Sequence, residues 1–164
     1  MSKQFLIFAG VGVAVVALAI FFVFAGTKGS HLELKGEILK IRTGELDEKN
    51  SAAVLDFRVE NPSDIPFVVR DVTATLDKQD GSMGEGFVVS RSDMKTLFQF
   101  NRFLGQQFND ALTIKDKIAP HATVDRMVAV RFEVPNQELE SAKAINLSIE
   151  DMDGALFQTS HKIK

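Results

Sequence analysis

Ala53-Val-Leu-Asp-Phe-Arg-Val-Glu60 is the stretch that decides the fold, because its side chains alternate between apolar and more polar with a period of two. The apolar face consists of Ala53, Leu55, Phe57 and Val59. This period predicts a β-strand that buries one face. Asn61-Pro62 follows directly, and we expect the strand to end there because proline has no N–H to donate to a sheet.

Similar short segments lie on both sides of this strand, with turn residues such as Asp80-Gly81 and Ala119-Pro120-His121 between them. We predict further strands at 31–43 (with a bulge near Gly36), 68–76, 83–89, 112–118, 124–134, 145–149 and 155–163. Residues 136–142 are predicted to form one short helical turn. Short strands of this number, separated by tight turns, are typical of an all-β sandwich.

The composition excludes several classes of function. The chain has 164 residues, enough for one ordinary domain, and a formal net charge of −3. A mixed, mildly acidic surface gives no clustered Lys and Arg for nucleic acid. The chain has no Cys, which excludes disulfides, thiolate chemistry, Cys-bound metals and lipid attachment through cysteine.

The N-terminal segment predicts a membrane anchor. Phe5–Gly26 contains no charged side chain over 22 residues. A helix of that length is about 33 Å long, which matches a hydrocarbon core of about 30 Å. The predicted organisation is a tail over 1–4, a transmembrane helix over 5–26, a linker over 27–30 and a β-sandwich domain over 31–164. The alternative is a signal peptide cleaved after Ala25.

Two further expectations concern this anchor. Gly10 and Ala14 are small residues one helical turn apart, so another helix could approach closely there. The positions of Lys28 and Lys35 favour a cytoplasmic domain, whereas the short N-terminal tail favours export. We predict a single-pass protein that contacts the lipid bilayer through residues 5–26. Its domain is expected to be extracytoplasmic, on the periplasmic side in a bacterium.

One stretch is helical in its pattern, at about 92–109. Ser92 can cap this helix. The predicted buried face consists of Met94, Leu97, Phe98, Leu104 and Phe108. Phe100 and Phe103 lie away from that face, so we interpret them as a docking surface. Only Lys95 and Arg102 could contact lipid headgroups, which favours a protein partner over the membrane interface. The alternative is that flanking loops cover both rings.

Leu55-Asp-Phe-Arg-Val-Glu-Asn-Pro-Ser-Asp-Ile-Pro-Phe67, followed by an apolar strand and Gly81, resembles the late embryogenesis abundant group 2 domain, also called the water-stress and hypersensitive-response (WHy) domain. The similarity covers about 31–164 and is strongest over 52–81 and 118–134. The resemblance implies an immunoglobulin- or fibronectin-III-like sandwich and a role in stress protection or binding. The chain departs from the family between Ser90 and Lys117, where the helical insert replaces a short connection.

No convincing catalytic set emerges from the remaining motifs. Ser92-Asp-Met-Lys95 matches the Ser-x-x-Lys pattern of some acyl-enzymes but lacks the companion motifs. Glu150-Asp-Met-Asp-Gly154 lacks the later ligands of a calcium loop, so we interpret it as a turn. The histidines are scattered, and Asn146-Leu-Ser148 is a glycosylation pattern. We therefore expect no enzyme activity, no cofactor and no metal.

The leading hypothesis is a membrane-anchored, non-enzymatic interaction or protective module, with an accessory subunit of a larger membrane complex as one form of it. The alternative is a lipid- or apolar-ligand-binding protein of the cell envelope, with its ligand between the sheets or beneath the 92–109 helix. A third hypothesis is an enzyme that uses Ser92 and Lys95.

Overall fold

The structure is a computed structural model that describes residues 16–18 and 33–163. The chain divides into two units, Met1–His31 and Leu32–Lys164. In the first unit, residues 16–18 are helical. Within the described ranges, no helix has the length and apolar character needed to span a membrane. The rest of the predicted anchor over 5–26, including Gly10 and Ala14, lies outside the described residues, so the anchor stays a prediction.

The described part of the second unit contains eight strands, two α-helices and one 3-10 turn. The strands are β1 (Lys35–Glu45), β2 (Ser51–Glu60), β3 (Phe67–Asp77), β4 (Met83–Val88), β5 (Lys117–Ile118), β6 (Thr123–Phe132), β7 (Ala144–Asp151) and β8 (Leu156–Lys162). The helices are α1 (Arg91–Phe100) and α2 (Asn136–Glu140), and the 3-10 turn covers Arg102–Leu104. The predicted class, a mostly β domain with a helical insert, is confirmed.

The strands form one strongly curved antiparallel sheet in the order β1-β2-β6-β4-β3-β7-β8, with β5 paired to β3. The strands β1-β2-β6 form one half of a sandwich and β3-β7-β8 form the other. Strand β4 joins the halves, because its first residues pair with β3 and its last residues pair with β6. Gly86 takes part in both pairings, opposite Ala74 and opposite Phe132. The architecture is therefore a nearly closed β-sandwich.

Strand β2 is buried on two faces, not on one as its alternation predicts. Leu55, Phe57 and Val59 belong to the main core between the two halves. Ala52 and Val54 point the other way and belong to a second apolar cluster. That cluster also contains Met94, Leu104, Ala111, Met127 and Ala129. The insert therefore covers the outer face of β2 and β6. The sequence of β2 looks half-polar because Ala52 and Asp56 stand on this outer face, although both are buried.

Four local predictions are wrong: the position of the bulge in β1, the cap of α1, the end of α1 and the length of the strand at 112–118. The bulge in β1 lies between Ile38 and Lys40. Gly36 instead allows close packing, since a Cβ there would clash with the Arg58 carbonyl oxygen. Ser90, not Ser92, caps α1, because the Ser90 Oγ accepts from the Asp93 N–H at 3.2 Å.

The helix ends at Phe100 and does not reach 109. The reasons are the extended backbone of Asn101 and the positive φ of 71° at Gly105. The predicted strand 112–118 is reduced to Lys117–Ile118, because the chain before it crosses from β6 to β3. Ala111 bridges to Met127 of β6, and the Lys115 N–H donates to the Val69 carbonyl of β3.

The other predicted turns and short elements are confirmed. Gly81 and Gly154 have φ values of 88° and 87°, as tight turns require. Helix α2 occupies the position of the predicted helical turn, and β7 and β8 form the predicted C-terminal hairpin.

We expect Gly86→Ala to destabilise the domain, because the new Cβ would clash with Val130 Cγ1 and would lie 2.7 Å from the Phe132 ring. Overpacking of this kind costs about 1–3 kcal/mol of the free energy of unfolding. Gly84→Ala in the same strand is the matched control, because its Cβ would meet mainly the flexible end of Lys78, at 3.3 Å. Urea titration of the full chain, followed by far-UV circular dichroism, measures both. Equal stability of the two variants would contradict the proposed role of Gly86.

Candidate functional site

The insert between β4 and β5 is held to the sheet by one buried ion pair. Arg42 lies on the outer face of β1, and its Nε and Nη2 donate to Asp56 Oδ2 of β2 at 3.1 and 2.8 Å. Both side chains are more than nine-tenths buried. A buried charge is tolerated only when it is paired and its remaining donors are satisfied. The insert supplies those remaining partners.

Arg42 Nη1 donates to the carbonyl oxygens of Leu104 and Gln106, the latter at 2.7 Å. The guanidinium carbon also lies 5.5 Å from the Phe98 ring centre and 5.1 Å from the Phe108 ring centre, within cation–π range. The Arg42 side chain therefore binds the turn after α1 through hydrogen bonds. It also contacts one aromatic ring of α1, Phe98, and one ring that follows the turn, Phe108. The second oxygen of Asp56 accepts from Asn109 Nδ2 at 2.9 Å, which fixes the end of the same segment.

Asn101 is the second anchor of the insert. Its Nδ2 donates to the Glu45 carbonyl at 2.7 Å, and its Oδ1 accepts from the Phe103 N–H at 3.1 Å. The amide packs over Gly44, where a Cβ would lie 2.7 Å from Nδ2. Asn101 therefore ends α1, caps the 3-10 turn and attaches both to the end of β1.

This anchored segment presents Phe100 and Phe103 to solvent. Their exposed fractions are 84% and 86%, although both belong to a residue type that is usually buried. The alternative that flanking loops cover these rings does not occur in the structure. Next to them lies a groove of about 640 Å³. Its apolar lining consists of Leu46, Val89, Leu97, Phe100 and Phe103.

Phe108 is placed differently from the prediction. The helical pattern predicts it on the buried face with Met94 and Leu104, which are buried. Phe108 is 65% exposed, because the helix ends before it, and the charged groups of Arg42 and Lys40 lie 5.1 and 5.8 Å from its ring centre.

Sequence reasoning misses Arg42, Asp56 and Asn101, the residues that position the surface. The alternation of β2 predicts Asp56 as an outward polar residue of a half-buried strand. The available signal is the composition of that outward face, because Ala52, Val54 and Asp56 together have too little polarity for solvent. The partner of Asp56 has no local signal, because Arg42 is 14 positions away along the chain.

A second opening lies beside β3, where β4 leaves β3 after Gly86. Strand β4 bridges β3 and β6 near Ala74 and Phe132, and the 110–118 segment bridges the same two strands near Val69 and Met127. Between them remains an opening of about 680 Å³. It is lined by Val72 and Leu112 of the main core and by the more exposed Phe87, Val88 and Ile114.

The remaining candidate motifs have structural roles. Ser92 Oγ lies 2.8 Å from Ser90 Oγ at the exposed start of α1. Asp151 is buried, and its carboxylate accepts from the backbone N–H groups of Val68 and Asp153, as a turn residue does. Asn146 Nδ2 donates to Asp77 Oδ1 within the sheet at 3.1 Å. Among the described residues, no group of three or more His, Asp or Glu side chains is placed to hold a metal ion.

Three exposed carboxyl groups have lowered pKa values, because they accept hydrogen bonds within turns or between strands. The side chain of Asn50 lowers the pKa of Asp47, and Ser82 lowers that of Asp80. Arg58 lowers the pKa of Asp125 through bonds of 2.7 and 2.8 Å between β2 and β6. A carboxyl whose folded pKa is depressed stabilises the fold above its unfolded pKa and loses this effect as the pH falls through the folded value.

No protein-family model matches the chain, and a comparison with curated proteins finds no match. The resemblance to the late embryogenesis abundant domain therefore stays a prediction. Among solved structures, the chain is similar to a predicted lipoprotein of Bacillus subtilis, with 10% identity and a TM-score of 0.50 over 82% of this chain. The chain spans 38% of the length of that lipoprotein. This likeness shows a shared fold only.

Two other similar structures are more distant. The archaellum periplasmic stator protein FlaG from Sulfolobus acidocaldarius is 7% identical, with a TM-score of 0.35 over 78% of this chain and 99% of its own. A β-sandwich protein from Clostridium difficile is 14% identical, with a TM-score of 0.40 over 79% of this chain and 85% of its own. Scores this low carry no inference about function.

We expect Arg42→Met to release the insert and to lower the free energy of unfolding by about 3–5 kcal/mol, because Asp56 is then a buried charge without its partner. The control is Arg58→Met, which removes an exposed ion pair between β2 and β6 and should change stability much less. Urea titration gives the stability, and limited proteolysis within 91–109 reports on the insert. Cleavage at the wild-type rate in Arg42→Met would contradict this role.

Proposed function

We propose that the chain is a membrane-anchored, non-enzymatic interaction module that binds a protein partner through Phe100 and Phe103. The observation that carries the proposal is the high exposure of these two rings on a segment that Arg42 and Asn101 hold in place. Phenylalanine, like the other aromatic residues, is enriched at protein interfaces relative to the rest of the surface. The fixed position of the two rings lowers the entropy lost on binding.

The charges around the groove favour a protein partner over an anionic membrane surface. Glu45 and Asp93 are acidic, whereas Arg102 and Arg131 are basic, so the charged lining sums to zero. A membrane-binding surface would combine its aromatic rings with an excess of Lys and Arg. Mixed charges at the rim of an apolar centre are typical of protein interfaces.

The anchor and the family resemblance complete the proposal. Residues 5–26 would hold the module in the membrane as a single span, with the sandwich on the extracytoplasmic side. Gly10 and Ala14 would allow a helix of the same membrane complex to approach closely. The resemblance to the group 2 late embryogenesis abundant domain is compatible with a stress-related or accessory role and with binding without catalysis.

The test is site-specific photo-crosslinking of the full chain in its native membrane, with a photoreactive phenylalanine analogue at position 100 or 103. We expect a discrete crosslinked band at both positions, and we expect Phe103→Ser to reduce strongly the crosslink formed from position 100. Met152, which is 57% exposed on the turn between β7 and β8, is the control position and should give no such band.

Two results would contradict this proposal. One is the same crosslinking pattern from position 152 as from position 100. The other is a monomer without a co-purifying protein after gentle detergent extraction and native mass measurement. The anchor is tested in the same preparation, since extraction of the chain by alkaline carbonate would exclude a spanning helix.

A second candidate function is binding of an apolar ligand, which the opening between β3 and β4 favours. Its apolar lining reaches Val72 and Leu112 of the main core, and its volume of about 680 Å³ is within the range of ligand sites. This site is separate from Phe100 and Phe103, which do not line it.

We expect, on this second candidate, that the full chain purified from membranes retains lipid and that Val88→Arg loses most of it, because a charge at the mouth opposes entry of an apolar chain. Mass spectrometry of solvent extracts measures the bound lipid per chain. The control is Leu156→Arg, which places the same charge on an exposed position of β8. Equal lipid content in the two variants would exclude the opening as a ligand site.

A further inference from the structure

A recess of about 360 Å³ lies on the side of α1 away from the exposed phenylalanines, where α1, β5 and β6 come together. Met94 and Ala111 are buried and form its apolar floor. The charged residues of its lining are Arg91, Lys95, Asp110, Asp116, Lys117 and Arg126. Four of these side chains are basic and two are acidic, so the lining has a net charge of +2 in a chain whose net charge is −3.

One of the two carboxylates, that of Asp116, already accepts three hydrogen bonds through one of its oxygens. Asp116 Oδ2 accepts from the Thr113 N–H at 2.8 Å, from Thr113 Oγ1 at 3.0 Å and from Arg91 Nη2 at 3.2 Å. Arg91 also donates to the Ala111 carbonyl at 3.2 Å. Arg91 and Asp116 therefore neutralise each other and fix the rim of the recess.

The other three basic side chains are left with one carboxylate between them. Lys95, Lys117 and Arg126 form no salt bridge with any residue in the part of the chain that the structure describes. The guanidinium of Arg126 donates to the carbonyl of the neighbouring Asp125 at 3.1 Å, which leaves its charge without a carboxylate partner. Like charges that face one recess repel one another, and an anion bound between them removes that repulsion.

We propose that this recess binds an oxyanion of the phosphate type, either free or as the headgroup of a lipid. Lys95 and Lys117 would supply ammonium donors from two elements, and Arg126 would supply a planar guanidinium, which suits bidentate contact with two oxygens. Asp110 opposes the anion and limits its affinity. The proposal uses residues other than Phe100 and Phe103 and does not rest on the protein-partner function.

The test is calorimetric titration of the full chain in an uncharged detergent with inorganic phosphate, at constant ionic strength. We expect saturable binding that Lys95→Gln and Lys117→Gln each weaken by roughly fivefold to tenfold, since each removes one charge-assisted contact. Lys49→Gln removes the same charge from an exposed turn outside the recess and should leave the Kd unchanged. Asp110→Asn should tighten binding about threefold, an effect in the opposite direction that damage to the fold cannot produce.

The phosphorus content of the purified chain distinguishes the two sources. Stoichiometric lipid phosphorus in the wild type that is lost in the double variant Lys95→Gln/Lys117→Gln supports a lipid headgroup. Background phosphorus together with saturable phosphate binding supports a free ligand. The proposal is overturned if the wild type shows neither this lipid phosphorus nor saturable phosphate binding. A phosphate Kd that is the same in the wild type, Lys95→Gln and Asp110→Asn also overturns it, because the attraction is then not located in the recess.

Discussion

The buried ion pair between Arg42 and Asp56 is the constraint on which the position of the insert depends. An ion pair away from water is favourable only if every remaining donor and acceptor finds a partner. The sheet alone does not provide these partners, and the insert provides them with two backbone carbonyls, one asparagine amide and two aromatic rings. The charge pair therefore helps to determine where the insert lies, and the apolar cluster of Met94, Leu104 and Ala111 against β2 and β6 adds hydrophobic burial.

The closure of the sandwich likewise depends on one position, Gly86, where any larger residue would crowd its neighbours. Strand β4 changes partner at Gly86, where the backbone passes against the side chains of Val130 and Phe132. Because β4 continues directly into α1, this crossing also sets the starting point of the helix. The geometry of the sheet and the position of the exposed phenylalanines are thus connected through five residues of chain, 86–90.

Local patterns are sufficient to predict most of the sheet and its turns. The alternation in β2, the glycines at 81 and 154 and the proline at 120 predict strands and turns close to their final places. The exposure of Phe100 and Phe103 is predicted from a helical wheel, although α1 ends at Phe100, whereas that of Phe108 is not. These signals are local, since each depends on residues a few positions apart.

The missing parts depend on contacts between distant residues. Nothing near Asp56 indicates Arg42, and nothing near Arg91–Phe100 indicates that its apolar face will cover the back of β2 and β6. The early end of α1 also has a distant cause, because Asn101 is held by the Glu45 carbonyl, 56 positions away along the chain. Periodicity predicts which residues of a segment lie on the same face. It does not predict which distant segment will pack against the second face.

Burial of β2 and β6 on two sides has a consequence for any attempt to simplify this protein. A shortened chain that joined β4 to β5 without residues 90–116 would retain all the strands of the sandwich and would still be incomplete. It would expose the apolar side chains of Ala52, Val54, Met127 and Ala129. The Arg42–Asp56 ion pair beside them would lose its hydrogen-bond partners in the insert. An exposed apolar surface of this kind promotes self-association. The insert is therefore part of the minimal folding unit, because it keeps this surface away from water.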